Sequence, residues 1–163
     1  MSTRKAMKNN VVLIGMPGCG KSSVGRALAA MLGAEFRDTD ALVTELAGCS
    51  IPDIFEDRSE AAFRELEHLA LARLLSEDGL VIATGGGIVK REDNRILLKE
   101  KARVIWLRRE LDRLPREGRP LSQNADLHEM YRARAPLYAQ CADIIADNTG
   151  TIEEAAEECR RQL

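Results

Sequence analysis

Aromatic residues are scarce in this sequence, at 4% of 163 residues. So few rings cannot supply the stacking platform on which single-stranded nucleic acids are bound. Positive charge is not in excess either, because 24 lysine and arginine residues face 26 acidic ones, for a formal net charge of −2. Proteins that bind a phosphate backbone usually carry a clear basic excess or stripe. The composition therefore argues against a nucleic-acid partner.

Long apolar runs are also missing. No run approaches the roughly 18 residues that a membrane-spanning helix needs, and the polar start MSTRKAMKNN contains no apolar segment of signal-peptide length. The four cysteines form no C-x-x-C pair and no other spacing typical of a metal site. We therefore expect a cytoplasmic protein with reduced thiols and no membrane partner.

The sequence does contain a regular alternation of strand-like and helix-like patterns, with no linker that would divide residues 1–163 into two domains. Apolar runs typical of strands occur at 11–15, 34–40, 80–85, 102–107 and 142–147. Helical spacing of apolar residues occurs at 22–32 and 59–79, and 151–163 begins with a helix cap. This alternation predicts an α/β fold, in which a parallel sheet is covered by helices on both faces. Ligands of such sheets bind beyond the carboxyl ends of the strands.

The first predicted strand runs into Gly15-Met16-Pro17-Gly18-Cys19-Gly20-Lys21-Ser22, a full match to the phosphate-loop pattern G-x-x-x-x-G-K-[ST]. Glycines leave backbone N–H groups free to converge on phosphates, and the next helix adds its own N-terminal N–H groups. Lys21 would place positive charge on the outer phosphates, and the Ser22 hydroxyl is the expected Mg²⁺ ligand. A chance glycine-rich turn is the alternative, but the strand before and the helix after favour a nucleotide site. The expected nucleotide contacts are Gly18, Cys19, Gly20, Lys21, Ser22 and Ser23.

A phosphate loop alone does not separate a kinase from a GTPase switch. The N-K-x-D tetrapeptide that reads guanine is absent, which weakens the switch interpretation. Two carboxylates, Asp38 and Asp40, follow the second predicted strand and could serve a metal ion and an acceptor hydroxyl respectively. An acidic cap for the following helix explains the pair equally well, so both interpretations stay open.

The third predicted strand ends in the triple-glycine turn Thr84-Gly85-Gly86-Gly87. Such bare backbone suits a ligand that approaches the main chain closely, or simply a tight turn into a helix near Arg91. Isolated arginines also stand out at Arg64, Arg119 and Arg134. Each alone is more often a surface residue, but at one cleft they would suit an anionic acceptor held through its carboxylate.

The polar segment PREGRPLSQNAD, residues 115–126, joins two helical patterns and contains one glycine and two prolines. We expect it to act as a mobile lid over the phosphates. Closure would exclude water, which matters because an open site would hydrolyse the nucleotide instead of transferring its phosphoryl group.

The motifs GMPGCGKSS, DTD, SIPDIF, FRELE, ATGGG, GRPL and RAPLY, in this order and spacing, resemble the shikimate kinase family over about residues 11–145. Many families share the phosphate loop, whereas the combination of DTD, F-R-x-x-E, GGG and R-x-P-L-Y is far more specific. Members transfer the γ-phosphoryl group of ATP to the 3-hydroxyl of shikimate, on the route to chorismate and the aromatic amino acids. The resemblance implies a three-layer P-loop kinase fold with a five-stranded parallel sheet. It also implies a lid at about 115–126 and a small helical substrate-binding subdomain at about 38–67.

The resemblance assigns the acceptor contacts as well. It implies that Asp40 holds the ring hydroxyls and is the base or orienting group for the 3-hydroxyl. Arg64 and Arg134 would clamp the carboxylate of shikimate, and the Gly86 backbone would touch the ring. It also implies that Ile51, Phe55 and Phe63 form an apolar lining of the shikimate site, and that the Glu67 carboxylate orients the two arginines.

On the donor side, the resemblance implies that Asp38 sits in the Mg²⁺ shell with Ser22 as direct ligand. Arg119, on the lid, would stabilise charge on the migrating phosphoryl group beside Lys21. Arg113 matches the arginine that packs on adenine, although the lid is shorter than usual and leaves Arg116 as an alternative.

These observations predict a monomeric kinase that uses Mg²⁺ and ATP and acts on shikimate. Two alternatives stay open. One is another small-molecule kinase of the same fold, such as a gluconate-type enzyme, and the other is a nucleotide-dependent switch without an acceptor.

Overall fold

The computed structural model describes residues 10–114 and 122–163. Its five strands are β1 (Asn10–Ile14), β2 (Glu35–Asp38), β3 (Leu80–Ala83), β4 (Ala102–Arg108) and β5 (Ile144–Asp147). Its seven α-helices within those residues are α1 (Lys21–Leu32), α2 (Thr39–Ala47), α3 (Ile51–Asp57), α4 (Glu60–Leu75), α5 (Glu92–Lys101), α6 (Ser122–Cys141) and α7 (Ile152–Gln162).

The strands form one parallel sheet in the order β2-β3-β1-β4-β5, which confirms the predicted five-stranded α/β fold. β1 lies at the centre, where Leu13 pairs with Ala83 on one side and with Ile105 on the other. All residues of β1 and β3 are buried. Strands covered by helices on both faces bury every side chain, which is why they appear in the sequence as continuous apolar runs.

Several predicted boundaries differ from the structure by a few residues, and two of these differences have a clear local cause. The apolar pattern predicted a strand through residue 40, but α2 begins at Thr39 because the Asp38 side chain accepts the Asp40 N–H at 2.9 Å and caps the helix. The helix predicted to reach residue 79 ends at Leu75, and Gly79, with φ 76°, turns the chain into β3. In both places a local hydrogen bond or turn overrides the apolar spacing.

The predicted lid lies only partly within the described residues. Residues 122–126 form the start of α6, and 115–121 lie outside the described residues. The predicted substrate-binding segment, 38–67, contains α2, α3 and the first half of α4. None of the helices in the described part of the chain is both long and apolar enough to cross a membrane.

The chain order places the polar motifs at one edge of the sheet. The phosphate loop (15–22) follows β1, Asp38 ends β2, and the triple-glycine turn (84–87) follows β3. These three strands are neighbours and parallel, so their carboxyl ends lie side by side. The topology therefore brings together motifs that are far apart in the sequence.

Candidate active site

The phosphate loop has the backbone of an anion-binding turn. Gly18 and Gly20 have φ values of 77° and 102°, in the left-handed region where glycine is favoured. Gly20 is the N-cap of α1, and no side chain caps that helix. The first N–H groups of α1 therefore face the loop together with the positive end of the helix dipole.

Lys21 holds its charge beneath this loop. Its side chain is 7% exposed, and its Nζ donates to the Gly15 carbonyl at 2.7 Å and to the Met16 carbonyl at 2.9 Å. Burial lowers the pKa of Lys21, and the nearby Cys19 and Asp40 oppose that shift. The ammonium group is thus a concentrated charge in a poorly solvated position, where it would act strongly on the oxygens of a bound phosphate.

Ser22 and Asp38 bring two hard oxygen ligands together. The Ser22 hydroxyl donates to Oδ2 of Asp38 at 2.9 Å, while Oδ1 of Asp38 accepts the Asp40 N–H. Within residues 10–114 and 122–163, no group of three or more His, Cys, Asp or Glu side chains could hold a metal ion. Mg²⁺ usually takes only one or two carboxylates and completes its octahedron with water and phosphate oxygens. The hydroxyl and carboxylate therefore fit a Mg²⁺ ion that is shared with a nucleotide.

Asp40 lies between the phosphate loop and the triple-glycine turn. An ideal Cβ atom on Gly85 would sit 2.8 Å from Oε2 of Glu67 and 3.0 Å from Oδ1 of Asp40, so a larger residue there would push against both carboxylates. Burial raises the pKa of Asp40, the charge of Asp38 adds to that rise, and Lys21 and Arg64 oppose it. A carboxylate of raised pKa is a stronger proton acceptor than an ordinary aspartate.

These groups line one cavity of about 320 Å³. Its walls come from the phosphate loop, the start of α1, α2 and the triple-glycine turn. The lining residues are Pro17, Gly18, Gly20, Lys21, Ser22, Ser23, Asp40, Thr84, Gly85 and Gly86. The phosphate loop, Asp40 and the triple-glycine turn therefore share a single space.

Arg64 is held by a buried carboxylate on its own helix. Its Nη1 donates to Oε1 of Glu67 at 3.0 Å, and Glu67 is 1% exposed. Burial raises the pKa of Glu67, while Arg64 and Arg134 both oppose that rise. Among the described residues, Nε of Arg64 and Oε2 of Glu67 are buried without a hydrogen-bond partner. Unpartnered polar atoms at this depth are costly, and they suit a site that receives a polar ligand.

Three hydroxyl groups, one of the turn itself and one each from α2 and α6, hold the triple-glycine turn. Thr84 donates to the Leu13 carbonyl at 2.7 Å, the Gly85 N–H donates to the Thr39 hydroxyl at 3.3 Å, and Tyr138 donates to the Gly86 carbonyl at 2.5 Å. These bonds fix a glycine-rich backbone that would otherwise sample many conformations.

Gly87 provides the space that Arg64 occupies. An ideal Cβ atom on Gly87 would lie 2.7 Å from Cζ of Arg64, although the φ of −95° suits any residue. We therefore expect Gly87→Ala to displace the guanidinium and raise the KM for the acceptor by roughly tenfold, with the KM for ATP unchanged. Steady-state kinetics with each substrate varied in turn would measure both constants.

Gly25→Ala is the matched control for this prediction. Its added Cβ atom would lie 2.8 Å from the Phe36 ring, away from the cavity. The control should lower thermal stability and leave the acceptor KM unchanged. An acceptor KM of wild-type size in Gly87→Ala would contradict the prediction.

The structure brings most of the predicted site residues together. The residues that line or adjoin the cavity are Lys21, Ser22, Asp38, Asp40 and Gly86. The charges of Arg64 and Arg134 both oppose the rise in the pKa of Glu67, so both arginines lie near that carboxylate. Cys19 is buried, with Sγ 3.8 Å from Nζ of Lys21. Arg113 is exposed and donates to the Thr149 carbonyl at 3.3 Å. Arg119, and the alternative Arg116, lie outside the described residues.

Asn148 is a site residue that sequence reasoning missed. Its Nδ2 donates to the Cys19 carbonyl at 2.9 Å, and a Cβ atom on Gly20 would lie 2.6 Å from that nitrogen. The amide thus braces the phosphate loop from the segment after β5. The sequence contained one signal for this residue, because Asn148 directly follows a predicted strand and so had to lie at the ligand-binding edge of the sheet.

We expect Asn148→Ala to raise the KM for ATP by roughly tenfold and to leave the KM for the acceptor within twofold. The change removes the hydrogen bond that braces the phosphate loop and touches no residue proposed to bind the acceptor. Asn10→Ala is a suitable control. Asn10 also makes side-chain hydrogen bonds to the backbone, a part-buried one to the Glu77 carbonyl at 2.6 Å and a buried one from the Leu80 N–H at 3.0 Å, at the opposite edge of the sheet. Equal effects of the two variants on the KM for ATP would argue against a specific role for Asn148.

The chain is similar in sequence to known proteins. The shikimate kinase family model matches residues 17–163. The shikimate kinase of Stenotrophomonas maltophilia (strain R551-3) is 44% identical over 147 residues, covering 85% of this chain and 82% of that protein. The shikimate kinase of Ruegeria pomeroyi is 41% identical over 163 residues, covering 93% of this chain and 83% of that protein.

The fold is also similar to that of solved structures. The shikimate kinase of Acinetobacter baumannii, determined in complex with shikimate, is similar with a TM-score of 0.87 and 34% identity over 94% of this chain and 91% of that one. A gluconokinase of Sinorhizobium meliloti has a TM-score of 0.54 and 18% identity over 95% of this chain and 91% of that one, which shows a common fold only. With its phosphate loop and these relatives, the chain belongs to the shikimate kinase family and is an ATP-dependent kinase that phosphorylates an alcohol.

Proposed function

We propose that this chain transfers the γ-phosphoryl group of ATP to the 3-hydroxyl of shikimate, giving shikimate 3-phosphate and ADP. The observation that supports this most is the Arg64 guanidinium, which lies against Gly87, next to Gly86 in the wall of the cavity that the phosphate loop also lines. This guanidinium is oriented by buried Glu67 and keeps one buried nitrogen without a hydrogen-bond partner among the described residues. Such a group suits a carboxylate ligand, and shikimate combines a carboxylate with ring hydroxyls.

On the acceptor side, Arg64 and Arg134 would hold the carboxylate at one end of shikimate. Asp40 would accept hydrogen bonds from the ring hydroxyls at the other end and take the proton of the attacking 3-hydroxyl. The raised pKa of Asp40 favours that proton transfer. The Gly86 backbone would lie against the shikimate ring. Pro17 of the phosphate loop packs closely on Gly86, since a Cβ atom added to Gly86 would lie 2.6 Å from Cδ of Pro17.

On the donor side, the phosphate loop and Lys21 would bind the β- and γ-phosphates. Ser22 and Asp38 would hold Mg²⁺, which when bound neutralises phosphate charge. Arg119 would add positive charge to the migrating group from the lid. Catalysis would then consist mostly of positioning and charge stabilisation, as is usual for phosphoryl transfer.

For the adenine ring we propose Arg113 and the neighbouring cavity of about 400 Å³. Arg113 contacts Thr149, and Thr149 lines this cavity together with Trp106, Leu107 and Arg108. The cavity adjoins the phosphate loop through Met16. A planar base needs such a half-apolar cleft beside the phosphates.

We propose further that the enzyme works as a monomer in the cytoplasm. The phosphate loop and Asp40 of a single chain line the same cavity, so the two proposed substrate sites meet without a second copy. All four cysteines are free, as expected for thiols in a reducing compartment.

Release of ADP, measured by a coupled assay with several hydroxy acids, tests the acceptor. We expect shikimate to stimulate release strongly and gluconate to have little effect. Stimulation by gluconate alone would favour the gluconate-type alternative. Release that no acceptor stimulates, together with an Asp40→Asn variant that behaves like wild type, would favour a switch.

A further inference from the structure

Tyr138 connects the proposed acceptor site to the phosphate loop. It lies on α6 with 0% exposure, and its hydroxyl donates to the Gly86 carbonyl at 2.5 Å. The same oxygen lies 4.0 Å from Sδ of Met16, the second residue of the phosphate loop. Its ring packs against Trp106 with centroids 5.7 Å apart.

Arg134 precedes Tyr138 by four residues, so the two side chains lie on the same face of α6. Burial raises the pKa of Tyr138 to about 12, and Arg134 opposes this rise from close by. The phenol therefore keeps its proton near neutral pH. It remains a donor to Gly86 under those conditions.

A triple-glycine turn needs such an external support. Gly86 has no side chain to restrict its backbone, and its carbonyl has the Tyr138 hydroxyl as a donor. A fixed carbonyl fixes the plane of the peptide that follows it. We propose that Tyr138 is a positioning residue for the acceptor. Its hydroxyl fixes the Gly86 backbone and the neighbouring Arg134 guanidinium, which would then contact the acceptor.

This inference rests on the proposed function, because it assumes that Gly86 and Arg134 contact shikimate. A positioning role for Tyr138 differs from a packing role in the part of the side chain that matters. Packing depends on the ring and its contact with Trp106, whereas positioning depends on the hydroxyl. Tyr138→Phe removes the hydroxyl alone and keeps the ring.

We expect Tyr138→Phe to raise the KM for shikimate, and its Kd measured calorimetrically without nucleotide, by roughly tenfold. The KM for ATP should stay within twofold of wild type. Asn10→Ala, which loses one buried and one part-buried hydrogen bond far from the site, should lower the melting temperature and change neither KM.

A double variant sharpens this test. If Tyr138 acts through Arg134, then adding Tyr138→Phe to Arg134→Ala should cost much less than tenfold in the KM for shikimate. A wild-type enzyme that phosphorylates shikimate, together with a Tyr138→Phe variant of unchanged shikimate KM, would overturn this inference and leave the proposed function intact. A wild-type enzyme that does not phosphorylate shikimate would overturn the proposed function itself.

Discussion

Replacing Lys21 by alanine is expected to lower kcat by about three orders of magnitude while the KM for shikimate changes little. The expectation follows from the position of the ammonium group. It lies beneath the phosphate loop with 7% exposure, where little water screens its charge. A charge that acts mainly on the migrating phosphoryl group stabilises the transition state more than either bound substrate. Initial rates at saturating concentrations of both substrates would measure the loss.

Lys90→Ala is the control for Lys21→Ala. Lys90 is an exposed lysine that binds Glu60 at 3.2 Å on the surface, so its loss should leave kcat unchanged. Circular dichroism should show that both variants are folded. A folded Lys21→Ala enzyme with kcat within tenfold of wild type would contradict the role given to this residue.

The second large effect is expected from Arg64→Ala and Arg134→Ala. Each change should raise the KM for shikimate by about 10- to 100-fold, the range for loss of a charge-assisted hydrogen bond of about 1.5–3 kcal/mol. The KM for ATP should stay close to wild type, because neither side chain lines the phosphate loop. Arg64→Ala should also lower the melting temperature, since it leaves Glu67 buried at 1% exposure without its ion pair.

Arg26→Ala is the matched control for the two arginine variants. Arg26 is exposed on α1, where its guanidinium lies 4.6 Å from the centre of the Phe36 ring. This variant should leave both KM values unchanged. If either Arg64→Ala or Arg134→Ala kept a normal KM for shikimate, a clamp formed by two arginines would be wrong.

The fold could be predicted because its signals are local. β1 and β3 are fully buried and therefore apolar throughout, and the phosphate loop lies within eight consecutive residues. The pair of aspartates, Asp38 and Asp40, was ambiguous for a physical reason. One oxygen of Asp38 caps α2 through the Asp40 N–H while the other accepts from Ser22, so the capping interpretation is confirmed and the metal role stays a prediction.

The contacts that complete the site could not be found from spacing. Tyr138 reaches Gly86 across 52 residues, and Asn148 reaches Cys19 across 129. No periodicity relates such positions, because the pairing depends on how the sheet orders its strands. Arg134 and Glu67 were assigned to one site only through the family resemblance. Their proximity in the fold supports that assignment.

We propose that one cavity brings ATP to the 3-hydroxyl of shikimate. Phosphorus and proton NMR of the products, after incubation with ATP, Mg²⁺ and shikimate, tests this proposal. We expect one molecule of shikimate 3-phosphate for each ADP formed, and no such product from the Asp40→Asn variant. ADP without a phosphorylated shikimate, or a phosphate on another hydroxyl, would contradict the proposal.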